Sequence, residues 1–165
     1  IIEFTYDLIQ KGILTFDKTK NDHRRVTFHD SCNVARGSNM GNIENGQFIL
    51  PREVIKAACN HFSDMPKATI KASTFCCGGG GGLLTDDLIE LRIKGAMPRM
   101  QALKQSQEND GVNTLAAICA ICKSQFSKVL PNYDFDPYMI VSVHQLVSDA
   151  LVLSDKSKTK VEDSL

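Results

Sequence analysis

The sequence lacks three features that would place it in a common class of protein. Its 19 basic and 19 acidic side chains cancel, and no segment concentrates positive charge, which argues against a nucleic-acid partner. No apolar run approaches the roughly 18–20 residues that a bilayer-spanning helix needs. No secretion signal is recognisable. Because the first residue is Ile1 and not methionine, we expect the chain to be the C-terminal part of a longer, cytoplasmic protein.

Cysteine, by contrast, is enriched, and its spacing is uneven. Two cysteines are isolated, two are adjacent and two form a C-x-x-C pair. In chain order they are Cys32, Cys59, Cys76, Cys77, Cys119 and Cys122. Adjacent cysteines rarely suit two structural disulfides, and clustered cysteines without a secretion signal more often bind metal or perform redox chemistry.

Thiolates are soft ligands, which favour iron–sulfur clusters, zinc or Cu(I) over hard cations. A C-x-x-C pair delivers two sulfurs from one turn, but adjacent cysteines cannot easily bind one tetrahedral ion. They can bind different irons of one cluster. The residues therefore favour a cluster and leave zinc and redox-active or structural thiols as alternatives. Cys59 lies on a predicted apolar helix, where we expect it to pack in the core.

Five consecutive glycines follow Cys77. Backbone N–H groups that point at cluster sulfurs stabilise the negative charge of the cluster, and glycine permits the close approach. We expect Gly78, Gly79 and Gly80 to contact the cofactor; a flexible linker is the alternative. The absence of a Lys-Ser/Thr after the glycines argues against a phosphate loop.

Apolar patterns alternate between strand-like and helix-like along the chain. They predict helices over 2–11, 52–62, from about 86, 121–129 and 143–151, and strands over 26–29, 68–75, 112–118 and 138–141. Pro98 is expected to break or kink its helix. The alternation predicts an α/β fold with a mostly parallel sheet and flanking helices, and with the cysteine-bearing loops at the carboxyl ends of the strands. We expect residues 1–153 to form one domain and 154–165 a polar, disordered tail.

Two polar residues next to Cys32 are candidate catalytic groups. His29 could donate a hydrogen bond to a cluster or carry a proton to a leaving thiolate. Arg36 could offset cluster charge or bind a carboxylate of a partner. For both residues a purely structural role is the alternative, as a strand-end histidine and a surface ion pair.

Four segments give the sequence a family resemblance. They are His29-Asp-Ser-Cys-Asn-Val-Ala-Arg36, Pro51-Arg-Glu53, Cys76-Cys-Gly-Gly-Gly-Gly-Gly82 and Cys119-Ala-Ile-Cys122. Together they resemble the cysteine-rich CCG domain of heterodisulfide reductase subunits B and D, and most of all the K subunit of the membrane-associated sulfite-reduction complex. The resemblance covers about residues 1–153. The 43 residues between Cys32 and Cys76 and the 41 between Cys77 and Cys119 exceed the usual spacing, and Ser31 stands where proline is common.

The resemblance implies a specific chemistry. It implies one noncubane [4Fe-4S] cluster, at which a disulfide or trisulfide of a thiol or sulfur-carrier protein is reduced or formed in anaerobic respiration. The implied cluster ligands are Cys32, Cys76, Cys77, Cys119 and Cys122. It also implies partner subunits of a membrane-bound redox complex, which would hold this chain at the inner face of the membrane. An electron-relay domain or a zinc-binding docking domain is the alternative.

Overall fold

The computed structural model describes residues 1–44, 46–83 and 85–153. Within them, five α-helices and three strands follow one another in the order α1 Ile2–Gln10, β1 Val26–Phe28, α2 Leu50–Ala58, α3 Ile89–Asp110, β2 Thr114–Ala117, α4 Ala120–Val129, β3 Ile140–Ser142 and α5 Val143–Ala150. The predicted disordered tail, 154–165, lies outside the described residues. No helix among those described is long and apolar enough to cross a membrane.

The three strands form one parallel sheet in the order β1-β2-β3. Val26 is opposite Thr114, and Ala116 is opposite Val141. Parallel neighbours need a crossover connection, and the helices of the chain provide it. The predicted α/β fold with a mostly parallel sheet is thereby confirmed.

Helices cover both faces of the sheet. Leu115 packs in a core with residues of α3 and α4. The next residue, Ala116, packs on the other face with β1 residues and with α1, α2 and α5. Successive strand residues point to opposite faces, so the short central strand β2 contributes to both cores. Burial of each large apolar side chain in these cores stabilises the fold by roughly 1.5–3 kcal/mol.

The predicted strand over 68–75 is wrong. This segment forms two short 3₁₀ turns, Lys67–Thr69 and Lys71–Ser73. Side chains bind its backbone in place of a neighbouring strand. The N–H of Lys71 donates to a carboxylate oxygen of Asp30 over 2.7 Å, and the guanidinium of Arg99 donates to the carbonyl of Thr69.

Of the two effects predicted for Pro98, the break is wrong, because α3 runs without interruption from Ile89 to Asp110, and the kink stays a prediction. Proline removes the helical bond to the carbonyl of Lys94. Lys94 is exposed, so water can satisfy that carbonyl at low cost. The helix ends at Gly111, whose φ of +67° gives it a left-handed cap.

The helix predicted over 52–62 is shorter than expected, because α2 ends at Ala58 and Cys59 is already extended. The residues beyond it run beside β1: the N–H of Val26 donates to the carbonyl of His61 over 2.9 Å, and the N–H of Ser63 donates to the carbonyl of Val26 over 3.0 Å. The other predicted helices and strands are present, and where both ends were predicted, no end differs by more than two residues.

Candidate metal centre

Two of the cysteine-bearing loops leave the carboxyl ends of β1 and β2. Cys32 opens a single π-helical turn, Cys32–Gly37, whose preceding residue Ser31 accepts a hydrogen bond from the N–H of Val34 over 3.4 Å. Cys119 is the N-terminal cap of α4, and Cys122 lies in the first turn of that helix. Because β1 and β2 are parallel neighbours, these two loops start side by side.

The third loop, which carries Cys76 and Cys77, reaches the same place without a strand of its own. The hydroxyl of Thr74 donates to the carbonyl of Asp30 over 2.9 Å. The guanidinium of Arg36 donates to the carbonyls of Ala72, over 3.0 Å, and Thr74, over 3.2 Å. Hydrogen bonds from the β1 side therefore place this loop against the end of the sheet.

The loops bring five thiols into one connected group. Each thiol is close enough to a neighbour for one to shift the pKa of the other: Cys76 raises that of Cys32, Cys77 raises that of Cys76, Cys122 raises that of Cys77, and Cys122 lowers that of Cys119. All six cysteines are described, and none forms a disulfide. Cys77 and Cys122 are buried, whereas the other three members are partly exposed.

Crowding makes most of these thiols hard to ionise. A hydrogen bond with Cys122 is the main cause that raises the pKa of Cys77 to about 12. The Cys77 thiol and burial raise the pKa of Cys76, and burial raises that of Cys32. Thiolates so close together repel one another, and a bound cation removes that cost.

Cys119 differs from the others because hydrogen bonds outweigh its burial. Burial by itself would raise the pKa of this thiol. The N–H groups of Cys122 and Ile121, together with the hydroxyl of Ser31, stabilise the thiolate and lower the pKa below its ordinary value. The start of α4 thus favours a thiolate at Cys119.

The glycine loop directs N–H groups at the adjacent cysteines. The N–H of Gly78 donates to Sγ of Cys76 over 3.3 Å. The backbone N–H of Gly80 also acts to lower the pKa of Cys76, and that of Gly79 acts to lower the pKa of Cys77. Gly78 has a φ of +89°, and a Cβ there would lie 2.3 Å from the carbonyl oxygen of Arg92, so only glycine fits between this loop and α3.

His29 is fully buried against the two buried thiols. One ring nitrogen of His29 and the sulfurs of Cys77 and Cys122 all lie within 4.8 Å of one another. Neither ring nitrogen has a hydrogen-bond partner within residues 1–44, 46–83 and 85–153. Burial, aided by the positive charge of Arg99, holds the pKa of His29 well below its ordinary value. The ring is therefore neutral at physiological pH, with one donor and one acceptor nitrogen.

Arg36, the other predicted catalytic residue, is exposed and lies near Cys32, whose pKa its charge lowers against the larger effect of burial. Arg36 therefore binds the backbone of Ala72 and Thr74 and also lies beside Cys32, a candidate ligand.

Cys59 lies away from the five-thiol group, in the core on the face of the sheet covered by α1, α2 and α5. Burial raises its pKa to about 11.

Sequence reasoning missed a buried ion pair and a buried arginine next to the site. Asp30 binds Arg52 through both carboxylate oxygens, over 2.7 and 2.8 Å, and both side chains are buried. Arg99 is also fully buried. The spacing of Ala96, Arg99 and Leu103 along α3 would have placed Arg99 on the buried face of that helix, so a signal for it was present in the sequence.

The donor set fits an iron–sulfur cluster. It offers five soft sulfur ligands from three loops, backbone N–H groups beside two of the sulfurs, and a buried imidazole that has no hydrogen-bond partner in the described part of the chain. A single tetrahedral ion takes four ligands and would leave part of this set unused.

Comparisons with known proteins agree with this geometry. The family model described as "Cysteine-rich domain" (CCG) matches residues 26–127. The chain is 44% identical over 154 residues to the Hdr-like menaquinol oxidoreductase iron-sulfur subunit 2 of Archaeoglobus fulgidus. It is 43% identical over 154 residues to the Hdr-like menaquinol oxidoreductase iron-sulfur subunit of Archaeoglobus profundus. Each alignment covers 93% of this chain and 26% of the relative, so the chain spans about a quarter of the length of these relatives. No solved structure matches the chain.

Proposed function

The chain belongs to the cysteine-rich CCG domain family, and from that membership we propose that it holds one [4Fe-4S] cluster of the noncubane type for electron transfer in a redox complex. The proposed ligands are Cys32, Cys76, Cys77, Cys119 and Cys122. The observation that carries the proposal is that these five thiols, from three separate loops, form one connected group at the carboxyl end of the sheet.

The two halves of the ligand group suit different tasks. Cys77 and Cys122 are buried beside His29 and would anchor the cluster. Cys32, Cys76 and Cys119 are partly exposed, so a substrate or a redox partner would approach from their side. When bound, the cluster supplies one-electron transfer and an iron site with affinity for substrate sulfur.

The finer proposal is that this open side reduces or forms a disulfide. Cleavage of a disulfide consumes two electrons and two protons and yields two thiols, so the electrons must come from a partner. The neutral ring of His29 suits a hydrogen bond to sulfur better than storage of a proton. Arg36, exposed beside Cys32, suits the binding of a negatively charged partner group.

The names of the relatives favour partner subunits that exchange electrons with menaquinol. We propose that this chain works as an oxidoreductase domain beside such subunits, at the inner face of a membrane that it does not itself need to cross. Electron relay without substrate chemistry is the second candidate, because the relatives are named as iron–sulfur subunits. The sulfur-carrier partner stays a prediction from the resemblance.

The test begins with anaerobically purified chain. We expect iron, sulfide and a paramagnetic signal in the wild-type chain and in C59S, and loss of all three in C77S. A signal that changes when a disulfide or thiol is added supports substrate chemistry, and an unresponsive cluster supports relay. Zinc without sulfide in the wild-type chain would contradict both.

A further inference from the structure

Arg99 is a buried positive charge that pairs with no carboxylate among the described residues. Its side chain is 0% exposed, and none of the ion pairs among the described residues includes it. An isolated buried guanidinium costs several kcal/mol. A protein tolerates such a cost where an anion is present in the working state.

The hydrogen bonds of Arg99 do not supply that anion. Its guanidinium donates to Sδ of Met65 over 2.8 Å, to Oγ1 of Thr74 over 2.8 Å and to the carbonyl of Thr69, all of them neutral acceptors. Its Nε has no partner within the described part of the chain. Asp30 is close, but its two carboxylate oxygens are taken by Arg52 and by the N–H of Lys71.

The same contacts attach Arg99 to the loop that leads to Cys76 and Cys77. Thr74 lies two residues before Cys76, and its hydroxyl links Arg99 to the backbone of Asp30 at the end of β1. The guanidinium lies 5.8 Å from the ring of Phe75. Burial lowers the pKa of Arg99 to about 10, against the opposing effects of Asp30, Cys77 and Cys122, so the group stays positive at neutral pH.

We propose that Arg99 is the counter-charge of the thiolate-bound cluster and that its positive charge sets the reduction potential. The inference rests on the proposed function. Thiolates and sulfides give the cluster a net negative charge, and reduction adds one more. A fixed positive charge in a buried, poorly solvated site therefore stabilises the reduced form more than the oxidised form.

The test is a redox titration of the reconstituted chain, followed by its paramagnetic signal. In R99M we expect the ratio of reduced to oxidised cluster at a fixed solution potential to fall on the order of tenfold. For a one-electron couple, this fall corresponds to a reduction potential that is lower by about 59 mV. R99K keeps the positive charge but loses the forked hydrogen bonds of the guanidinium, so most of the wild-type ratio of reduced to oxidised cluster should be restored. R25M removes an equal charge from an exposed arginine at the opposite, amino end of β1 and should leave the ratio unchanged.

The outcomes separate this inference from the proposed function. An iron-loaded R99M with a wild-type potential, or an R99K that behaves as R99M, overturns the role of the charge and leaves the cluster proposal standing. If R99M does not take up iron, the R99K chain is decisive. A reduction potential of R99K near that of the wild type supports the role of the charge. Loss of iron in R99K as well assigns Arg99 to the fold alone. A wild-type chain without iron and sulfide contradicts the proposed function, and the inference falls with it.

Discussion

The hydroxyl of Thr74 donates a hydrogen bond to the carbonyl of Asp30 over 2.9 Å, across 44 positions of sequence. This bond joins the loop that carries Cys76 and Cys77 to the end of the strand that leads to Cys32. The same hydroxyl accepts a hydrogen bond from Arg99. One threonine therefore links the cysteine loop, the end of β1 and α3. This link matters because the cysteine loop has no strand of its own to position it.

The substitution T74V should loosen this loop. It keeps the shape of the side chain but leaves the carbonyl of Asp30 and a donor of Arg99 without their partner, which costs about 1–3 kcal/mol in a buried site. We expect a lower free energy of unfolding in urea and fewer irons per chain after reconstitution. T19V, which removes an exposed hydroxyl that bonds to Asp17, is the control. Equal behaviour of the two variants would show that the Thr74 bond does not hold the loop.

The substitution G78A should displace the glycine loop from α3. A Cβ at this position would lie 2.3 Å from the carbonyl oxygen of Arg92 and 2.9 Å from Nε2 of Gln125, in a residue whose φ is +89°. We expect loss of iron and sulfide. G12A is the matched control, because Gly12 has a φ of +65° but open space around it, so only the backbone penalty of about 1–2 kcal/mol applies. A G78A chain with a full complement of iron and sulfide would show that cluster binding does not depend on the close approach of Gly78 to α3.

The substitution D30N tests the buried ion pair beneath the site. Asp30 and Arg52 are 0% and 5% exposed in their side chains, and removal of one partner of such a pair costs about 3–5 kcal/mol, less where the new amide keeps a hydrogen bond. We expect a large loss of stability in D30N by urea denaturation. E53Q removes the carboxylate of the exposed pair with Lys56 and should cost below about 1 kcal/mol. A D30N chain as stable as E53Q would contradict a structural role for the pair.

Local patterns in the sequence were enough to predict the fold class and most of its elements. Strand β2 is apolar, and α5 has a clear helical stripe, so both were found near their observed bounds. The convergence of Cys32 with Cys119 and Cys122 followed from parallel topology, because strand ends gather at one edge.

What the sequence did not reveal depends on long-range polar contacts. Residues 68–75 have strand-like composition, yet Asp30 and Arg99 bind their backbone and hold it in turns. Neither Asp30 nor Arg99 is near this segment in sequence. No local sequence pattern could therefore show that their side chains compete with strand pairing for its backbone. The cysteine pair still reached the site, by hydrogen bonds and not by the strand that was predicted to carry it.

The substitution C59A should leave the metal centre intact. Cys59 is 3% exposed in the core on the opposite face from α3 and α4, and loss of its sulfur should cost about 1 kcal/mol through a small cavity. With a pKa raised by burial to about 11, the thiol stays protonated at neutral pH and should react with iodoacetamide only after unfolding. Iron per chain in C59A should equal that of the wild type, whereas C122A should lose iron. If C59A lost iron as C122A does, Cys59 would join the ligand set, and the assignment of one cluster to the other five thiols would be wrong.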